Sequence, residues 1–205
     1  MEVSFALVGR KSICYRVFCN YMRESNARGA HLAPTRVRQN PALPRKGSDS
    51  MKHEELITLF SADLFIPDLK AKNRDGALQE MVEHAARAGV IRDQDVILGM
   101  LKNRESLGST GLGEGVAFPH GRSLAIPSLM ALFAKSEKGV ELGAIDGKPV
   151  NLFFMFIAPP IEKENRYLPA LGQVVELIRN KDTRKKLLAV KKFEDFRAIL
   201  LGDEA

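Results

Sequence analysis

From residue 51 onward, apolar residues recur at spacings that predict a regular succession of helices and strands. In NRDGALQEMVEHAARAG, the apolar positions follow the i, i+3, i+4, i+7 pattern of one helix face: Leu78, Met81, Val82 and Ala85. Asn73 or Asp75 can cap the start of this helix, and Gly89 can end it. A second helix, over QDVILGMLKNRE, is capped by Asp93 and carries an apolar stripe formed by Val96, Ile97, Met100 and Leu101.

Four apolar runs predict the strands. The run from Leu64 to Leu69 is interrupted by Pro67, which is typical of an edge strand. The runs VAFP, LMALFAKS and VNLFFMFIA follow later, and the last is nearly continuous, as in a central strand. Between the last two, the Asp-Gly and Lys-Pro pairs of GVELGAIDGKPV mark a turn.

The C-terminal third is predicted to be helical. A helix that starts at Asn165, with Pro169 tolerated in its first turn, presents one apolar face: Leu168, Leu171, Val175 and Ile178. Two shorter helices, near residues 182–190 and 193–201, close the chain. Because helices come before, between and after the strands, the pattern predicts an α/β sandwich with a mixed sheet.

Charge divides the chain near residue 50. Residues 1–50 hold 9 of the 31 basic and 3 of the 25 acidic residues, which leaves 22 of each in residues 51–205. The net charge of +6 therefore belongs to the N-terminal segment. Because residues 51–205 are neutral overall, we do not expect their surface to attract nucleic acid. We expect two parts: a basic, disordered extension over 1–50 and one domain over 51–205.

Three interpretations of residues 1–50 remain open: a targeting peptide, a basic interaction arm, or residues upstream of a translation start at Met51. We favour the last, because helical patterning begins at Met51. Cys14 and Cys19 both lie in this segment, so the predicted domain has neither a disulfide nor a thiolate nucleophile. No apolar run approaches the roughly 20 residues of a membrane helix. We therefore expect a cytoplasmic protein without direct membrane insertion.

The stretch GSTGLGEGVAFPHGR, residues 108–122, combines five glycines with one histidine. It lacks the Gly-Lys-Ser/Thr ending of a Walker loop, and it follows a predicted helix, whereas a dinucleotide fingerprint follows a strand. Two interpretations remain. One is a glycine-rich connector from helix to strand. The other is a backbone that approaches a small anion closely, with the hydroxyls of Ser109 and Thr110 as donors.

His120 is the candidate for chemistry within this stretch. A lone histidine after a proline is more often structural, but here Gly121 leaves its far side uncrowded, and Arg104 and Arg122 could both pair with an anion beside it. No metal ligands accompany it. An imidazole of near-neutral pKa among such donors suits a covalent carrier of a phosphoryl group, whose equatorial oxygens the arginines would stabilise.

The segment RESLGSTGLGEGVAFPHGR resembles the active-site signature of the enzyme IIA components of the bacterial phosphoenolpyruvate-dependent sugar phosphotransferase system. The resemblance is to the fructose/mannitol class and is closest to its nitrogen-regulatory branch. It extends through AIDGKPVNLFFMFIAP and the C-terminal helices, and so covers residues 51–205 but not 1–50. It implies helices around a mixed five-stranded sheet and requires no metal or nucleotide cofactor.

The resemblance also implies residue roles. His120 stands where the family's phosphorylated histidine stands, accepting a phosphoryl group from a carrier protein of the HPr type. Arg104 matches the active-site arginine. Support for the phosphoryl site is expected from the loop and its surroundings: Ser109, Thr110, Gly111, Arg122 and Tyr167.

Tyr167 marks a departure from the family pattern. Many members carry a second active-site histidine in an H-L-x-x-L pattern, where this chain has NRYLPAL. Tyr167 is either an ordinary first-turn aromatic or a hydroxyl that donates toward the phosphoryl site but is neither a cation nor an efficient base at pH 7. Phosphorylation of His120 is expected to survive this change, whereas onward transfer to a IIB partner is in question.

The function implied by the resemblance is that of a phosphocarrier, as distinct from an enzyme that turns over a small substrate. A regulatory, nitrogen-type role is favoured over sugar transport, because the chain carries no fused IIB-like or IIC-like domain. Two alternatives remain open. The chain could be a regulator that binds target proteins without phosphorylation, or a sugar-specific IIA component that donates to a separate IIB.

Overall fold

The computed structural model describes residues 51–202, so the predictions for residues 1–50 lie outside the described residues. The helices are α1 His53–Ile57, α2 Arg74–Arg87, α3 Gln94–Ser106, α4 Tyr167–Arg179, α5 Lys181–Ala189 and α6 Phe193–Leu201. The strands are β1 Phe65–Ile66, β2 Gly111–Gly113, β3 Val116–Ala117, β4 His120–Arg122, β5 Met130–Val140 and β6 Val150–Ala158. A single 3₁₀ turn, Ala62–Leu64, precedes β1 in this part of the chain.

Strand β6 lies at the centre of one mixed sheet. It pairs antiparallel with β5 on one side and parallel with β3 and β4 on the other. Beyond β5 lies β1, in parallel, and beyond β3 lies β2, antiparallel, so the order is β1-β5-β6-β3-β2. The mixed sheet is confirmed, as are the central position of VNLFFMFIA and the edge position of the strand that Pro67 follows.

Within residues 51–202 the sheet has six strands, one more than expected, because one strand is divided at Pro119. Val116 pairs with Leu152 and His120 pairs with Phe156, at the same offset, so β3 and β4 follow β6 in a single register. Pro119 has no N–H to donate, although its carbonyl accepts from the N–H of Phe156 at 2.9 Å. His120 therefore begins a new strand segment directly after this interruption.

Helices cover both faces of the sheet. Alternate side chains of β6 point to opposite faces. On one face, residues of α2 and α3 form a continuous core with strand residues that include Leu132, Phe153, Met155 and Ile157. On the other face, aromatic rings pack with centroids 4.4 to 5.9 Å apart: Phe60, Phe65, Phe133, Phe154, Phe156 and Phe196. Each layer thus buries large apolar surfaces, which holds the strands and helices in fixed positions.

The two predicted N-terminal caps are confirmed, with Asn73 and not Asp75 at the start of α2. The side chain of Asn73 accepts from Gly76 N at 2.9 Å, and that of Asp93 accepts from Val96 N at 3.1 Å. The predicted stripe of α3 is partly wrong, because Val96 is 50% exposed. The buried row consists of residues four apart, ending on a carboxylate: Ile97, Leu101 and Glu105.

The C-terminal helices are confirmed, but α4 begins at Tyr167 and its buried face is rotated from the predicted one. Asn165 lies before the helix with φ of +50°. Leu168 and Val175 are only half-buried, whereas these side chains turn inward: Tyr167, Ala170, Leu171, Val174 and Ile178. The rotation follows from Tyr167, because burying this large ring in the first turn sets the face of the helix that meets the sheet.

Candidate active site

His120 is held through both ring nitrogens. Its Nδ1 lies 2.7 Å from the carbonyl oxygen of Phe118, and its Nε2 lies 3.3 Å from Nε of Arg104. Because a carbonyl can only accept, Nδ1 must carry the ring proton, which leaves an unshared electron pair on Nε2. The guanidinium N–H of Arg104 donates to that pair. The arrangement thus presents Nε2 as the nucleophilic nitrogen.

The imidazole of His120 is neutral at pH 7. Burial lowers the pKa of His120 from 6.5 to about 4; the hydrogen bond to the Phe118 carbonyl opposes this shift, and the positive charge of Arg104 adds to it. The near-neutral pKa expected from the sequence is therefore corrected downward, because water is largely removed from the ring. A neutral ring keeps its nucleophilic electron pair well below neutral pH.

We expect the His120 ring to titrate with a midpoint near pH 4 in the folded protein. Between about pH 4 and 6.5 the unfolded chain binds a proton that the folded chain does not, so stability rises with pH across this window and falls as the pH is lowered. NMR titration of the ring, assigned by comparison with His120→Ala, measures the midpoint. A midpoint at the ordinary value of 6.5 would contradict this environment.

Arg104 connects the end of α3 to the loop and to the imidazole. It lies in the last turn of α3, where a cation suits the helix dipole, as predicted. Besides its contact with His120, its Nη1 donates to the carbonyl of Gly108 at 2.9 Å. The guanidinium is thereby fixed beside Nε2, so its positive charge lies next to the position that a phosphoryl group on that nitrogen would take.

The hydroxyls of the glycine-rich loop make different contacts from those expected. The N–H and the Oγ1–H of Thr110 both donate to the carboxylate of Glu105, at 2.8 and 2.7 Å. Ser109 Oγ lies 3.4 Å from the carbonyl of Leu142, to which it donates, and accepts from Gly111 N at 3.1 Å. In this structure the two hydroxyls bond to groups of the protein itself and hold the loop together.

Two glycines of this region lie in close packing, Gly111 against the backbone of Ala144 and Gly121 against the flexible side chain of Met100. At Gly111, an added Cβ would lie 2.7 Å from the Cβ and 2.9 Å from the Cα of Ala144, so only glycine lets β2 approach that segment. At Gly121, it would lie 1.8 Å from the sulfur of Met100. The space beside Gly121 is thus filled by α3, which brings the last turn of that helix close to His120.

Arg122 and Tyr167 pair with each other at the end of β4. Arg122 Nη1 donates to the carbonyls of Pro159 and Pro160, at 2.9 and 3.0 Å, and its guanidinium carbon lies 4.8 Å from the centroid of the Tyr167 ring. Tyr167 is only 4% exposed, and its N–H donates to the carboxylate of Glu162 at 2.9 Å. Tyr167 is therefore a buried first-turn aromatic whose ring faces a cation.

Sequence reasoning missed Glu105, Glu162 and the backbone of Phe118. Glu105 is 4% exposed and lies in the last turn of α3, where the helix dipole disfavours a carboxylate. A carboxylate at this unfavourable position indicates that a hydrogen-bond donor lies nearby. Thr110 is that donor. The Phe118 carbonyl had no such signal, because its role depends on where the strand is divided.

Neither a cluster of metal ligands nor a membrane-spanning helix is found in the described part of the chain. Within residues 51–202, no three His, Cys, Asp or Glu side chains gather as a metal site would require. No helix there is long and apolar enough to cross a membrane. What the site offers is a neutral imidazole nucleophile beside a fixed guanidinium.

Comparison with known proteins identifies the family to which this fold belongs. Residues 58–202 match the family described as phosphoenolpyruvate-dependent sugar phosphotransferase system, EIIA 2, and the chain belongs to this family. A nitrogen regulatory protein of Bradyrhizobium diazoefficiens is 33% identical over 147 residues, which cover 71% of this chain and 94% of that protein.

Two further relatives cover the same part of the chain. The fructose-specific EIIABC component of Bacillus subtilis is 34% identical over 138 residues, which cover 67% of this chain but only 21% of that protein. The crystal structure of nitrogen regulatory protein IIA-Ntr from Neisseria meningitidis matches with a TM-score of 0.65 and 29% identity, over 70% of this chain and 97% of that one. The family and its α/β fold, expected from the RESLGSTGLGEGVAFPHGR segment, are thereby confirmed.

Proposed function

We propose that the protein is a phosphocarrier that accepts a phosphoryl group on Nε2 of His120 from a phosphohistidine carrier of the HPr type. The observation that carries the proposal is the state of the imidazole. Its proton is held on Nδ1 by the Phe118 carbonyl, and its electron pair on Nε2 lies 3.3 Å from the Nε of Arg104. The functional unit is residues 51–205, and its place is the cytoplasm.

The transfer exchanges one N–P bond for another. The hydrogen bond from Nε of Arg104 to Nε2 breaks first, which frees the electron pair on Nε2. This pair attacks the phosphorus, the N–P bond of the donor breaks, and its electron pair returns to the donor ring. His120 loses no proton, because the proton stays on Nδ1, hydrogen-bonded to the Phe118 carbonyl. This hydrogen bond also stabilises the positive charge that the ring gains. The guanidinium of Arg104 stabilises the equatorial oxygens of the transferring group.

A regulatory role of the nitrogen type is supported by similarity to the nitrogen regulatory protein of Bradyrhizobium, at 33% identity, and to the structure of IIA-Ntr from Neisseria meningitidis, at 29%. The partners in this proposal are an HPr-type donor and regulatory target proteins. A sugar-specific IIA that donates to a separate IIB is the second candidate, because a fructose-specific component is 34% identical to this chain.

The proposal is tested by incubating the full chain with phosphoenolpyruvate, enzyme I and HPr, followed by mass spectrometry under alkaline and acidic conditions. The expected product carries one phosphoryl mass and loses it in acid, as phosphohistidine does. A chain that stays unmodified, while HPr in the same mixture is phosphorylated, would support the regulator that binds its targets without phosphorylation.

Onward transfer is tested at Tyr167. We expect Tyr167→His to leave phosphorylation of His120 intact and to speed transfer to a cognate IIB by about tenfold or more. The negative charge of a phosphoryl group favours a protonated imidazole, whereas a phenol stays neutral, and a charge-assisted hydrogen bond contributes on the order of 1.5–3 kcal/mol. Tyr167→Phe, which keeps the aromatic ring beneath Arg122, is the matched control. If no IIB gains phosphate faster, the purely regulatory role is favoured.

A further inference from the structure

Glu105 is a buried carboxylate that takes no part in the chemistry proposed above. It is 4% exposed, and both of its oxygens accept from one residue: Oε1 from the N–H of Thr110 and Oε2 from its hydroxyl. Burying a carboxylate is unfavourable unless donors replace the lost water. These two bonds, at 2.8 and 2.7 Å, replace that water and fix the backbone of Thr110 to the end of α3.

From Thr110 the hydrogen bonds continue to His120. The carbonyl of Thr110 accepts from Phe118 N at 3.1 Å, and the carbonyl of Phe118 accepts from Nδ1 of His120 at 2.7 Å. Phe118 lies between β3 and β4, and the residue after it, Pro119, has no N–H. The bond to Thr110 therefore fixes the backbone at Phe118 on one side, and the bond from Phe156 N to the Pro119 carbonyl fixes it on the other.

One turn of α3 thus acts on both nitrogens of the imidazole. Arg104 contacts Nε2 directly, whereas the adjacent Glu105 reaches Nδ1 through Thr110 and Phe118. The link from Glu105 to Nδ1 is mechanical: each hydrogen bond fixes one backbone group of the loop, and the last of these groups is the Phe118 carbonyl.

We propose that Glu105 is a positioning residue, which holds His120 as the Nδ1–H tautomer through Thr110 and Phe118 and so keeps Nε2 free to accept the phosphoryl group. The part of this inference that concerns the transfer rate rests on the proposed function. The tautomer does not, because it can be measured in the unmodified protein.

Glu105→Gln tests the proposal. The amide keeps one acceptor oxygen but sets an NH₂ group against the donors of Thr110, so the link is weakened. We expect the ¹⁵N chemical shifts of the His120 ring, which show the Nδ1–H tautomer in the wild type, to show a mixture with the Nε2–H tautomer. Transfer from phosphorylated HPr is expected to slow by about 10- to 100-fold, as when a histidine ligand loses its outer hydrogen bond.

Glu80→Gln is the matched control. Glu80 lies in α2, and its carboxylate likewise accepts from loop N–H groups, those of Lys70 and Ala71, at 2.8 to 3.0 Å. Its loss should leave the tautomer of His120 and the transfer rate unchanged. If Glu105→Gln fails to fold, Thr110→Val removes the hydroxyl alone, and Thr110→Ser, which restores it, should recover the wild-type tautomer.

The outcomes separate this inference from the proposed function. An unmodified wild type would overturn the phosphocarrier, while the ¹⁵N shifts would still decide the role of Glu105. If the wild type is phosphorylated but the folded Glu105 or Thr110 variants keep the Nδ1–H tautomer, Glu105 is not a positioning residue. A slower transfer with an unchanged tautomer would also overturn it.

Discussion

Replacing His120 with alanine is expected to abolish phosphoryl uptake from HPr, to below detection in the mass spectrum. Its Nε2 is the nitrogen whose electron pair the Phe118 hydrogen bond leaves available, and residues 51–205 contain no cysteine that could substitute as a nucleophile. Mass spectrometry of the full chain after incubation with phosphoenolpyruvate, enzyme I and HPr measures the effect.

His53→Ala serves as the matched control for the loss of a histidine. His53 begins α1, and its ring lies near Gly202, directly after the end of α6. It should leave the one-phosphoryl adduct at the wild-type level. An acid-labile adduct that persists in His120→Ala would assign the acceptor to another residue and would remove His120 from the mechanism.

Replacing Arg104 with alanine is expected to slow the transfer by roughly 10²- to 10³-fold, the range found when a fixed donor to developing charge is removed. The variant loses the cation next to Nε2 and the bond that ties the end of α3 to Gly108. The transfer rate of Arg104→Lys should lie between those of the wild type and Arg104→Ala, because an ammonium keeps the positive charge but lacks the planar, bidentate donor geometry of a guanidinium. Rapid-quench kinetics with phosphorylated HPr measure the rates.

Arg197→Ala controls for the loss of a positive charge. Arg197 lies on the exposed side of α6, and its removal should leave the rate unchanged. Thermal unfolding of each variant separates a slower transfer from a less stable fold. Transfer at the wild-type rate in a folded Arg104→Ala protein would exclude Arg104 from the transfer step.

The elements that depend on local pattern could be predicted from the sequence. The caps at Asn73 and Asp93 and the central strand VNLFFMFIA follow from side-chain chemistry within a few residues, and each is confirmed. The strands β2 and β4 could not be predicted, because a glycine-rich segment has little intrinsic strand preference. Its strands form by pairing: β2 pairs with β3, and β4 pairs with β6, which lies much later in the chain.

The sequence named candidate site residues, but it did not determine their geometry. His120 and Arg104 were singled out from the residues around the glycine-rich loop and from the family resemblance, whereas the 3.3 Å contact between them depends on how α3 packs against β4. The partner of Thr110 and the lowered pKa of His120 both arise from burial, which spacing alone does not determine. The exposure of Val96 has the same origin, since the sheet faces a row of residues four apart.

The division of one strand at Pro119 has a consequence for how a target protein would recognise the phosphorylated form. Because β3 and β4 keep a single register on β6, His120 is anchored to the sheet's centre and not to a hinge. In the proposed phosphocarrier, we expect a phosphoryl group on Nε2 to add negative charge beside Arg104 while β4 keeps its place in the sheet. A target protein that distinguishes the phosphorylated form would then respond to the added charge more than to a moved strand.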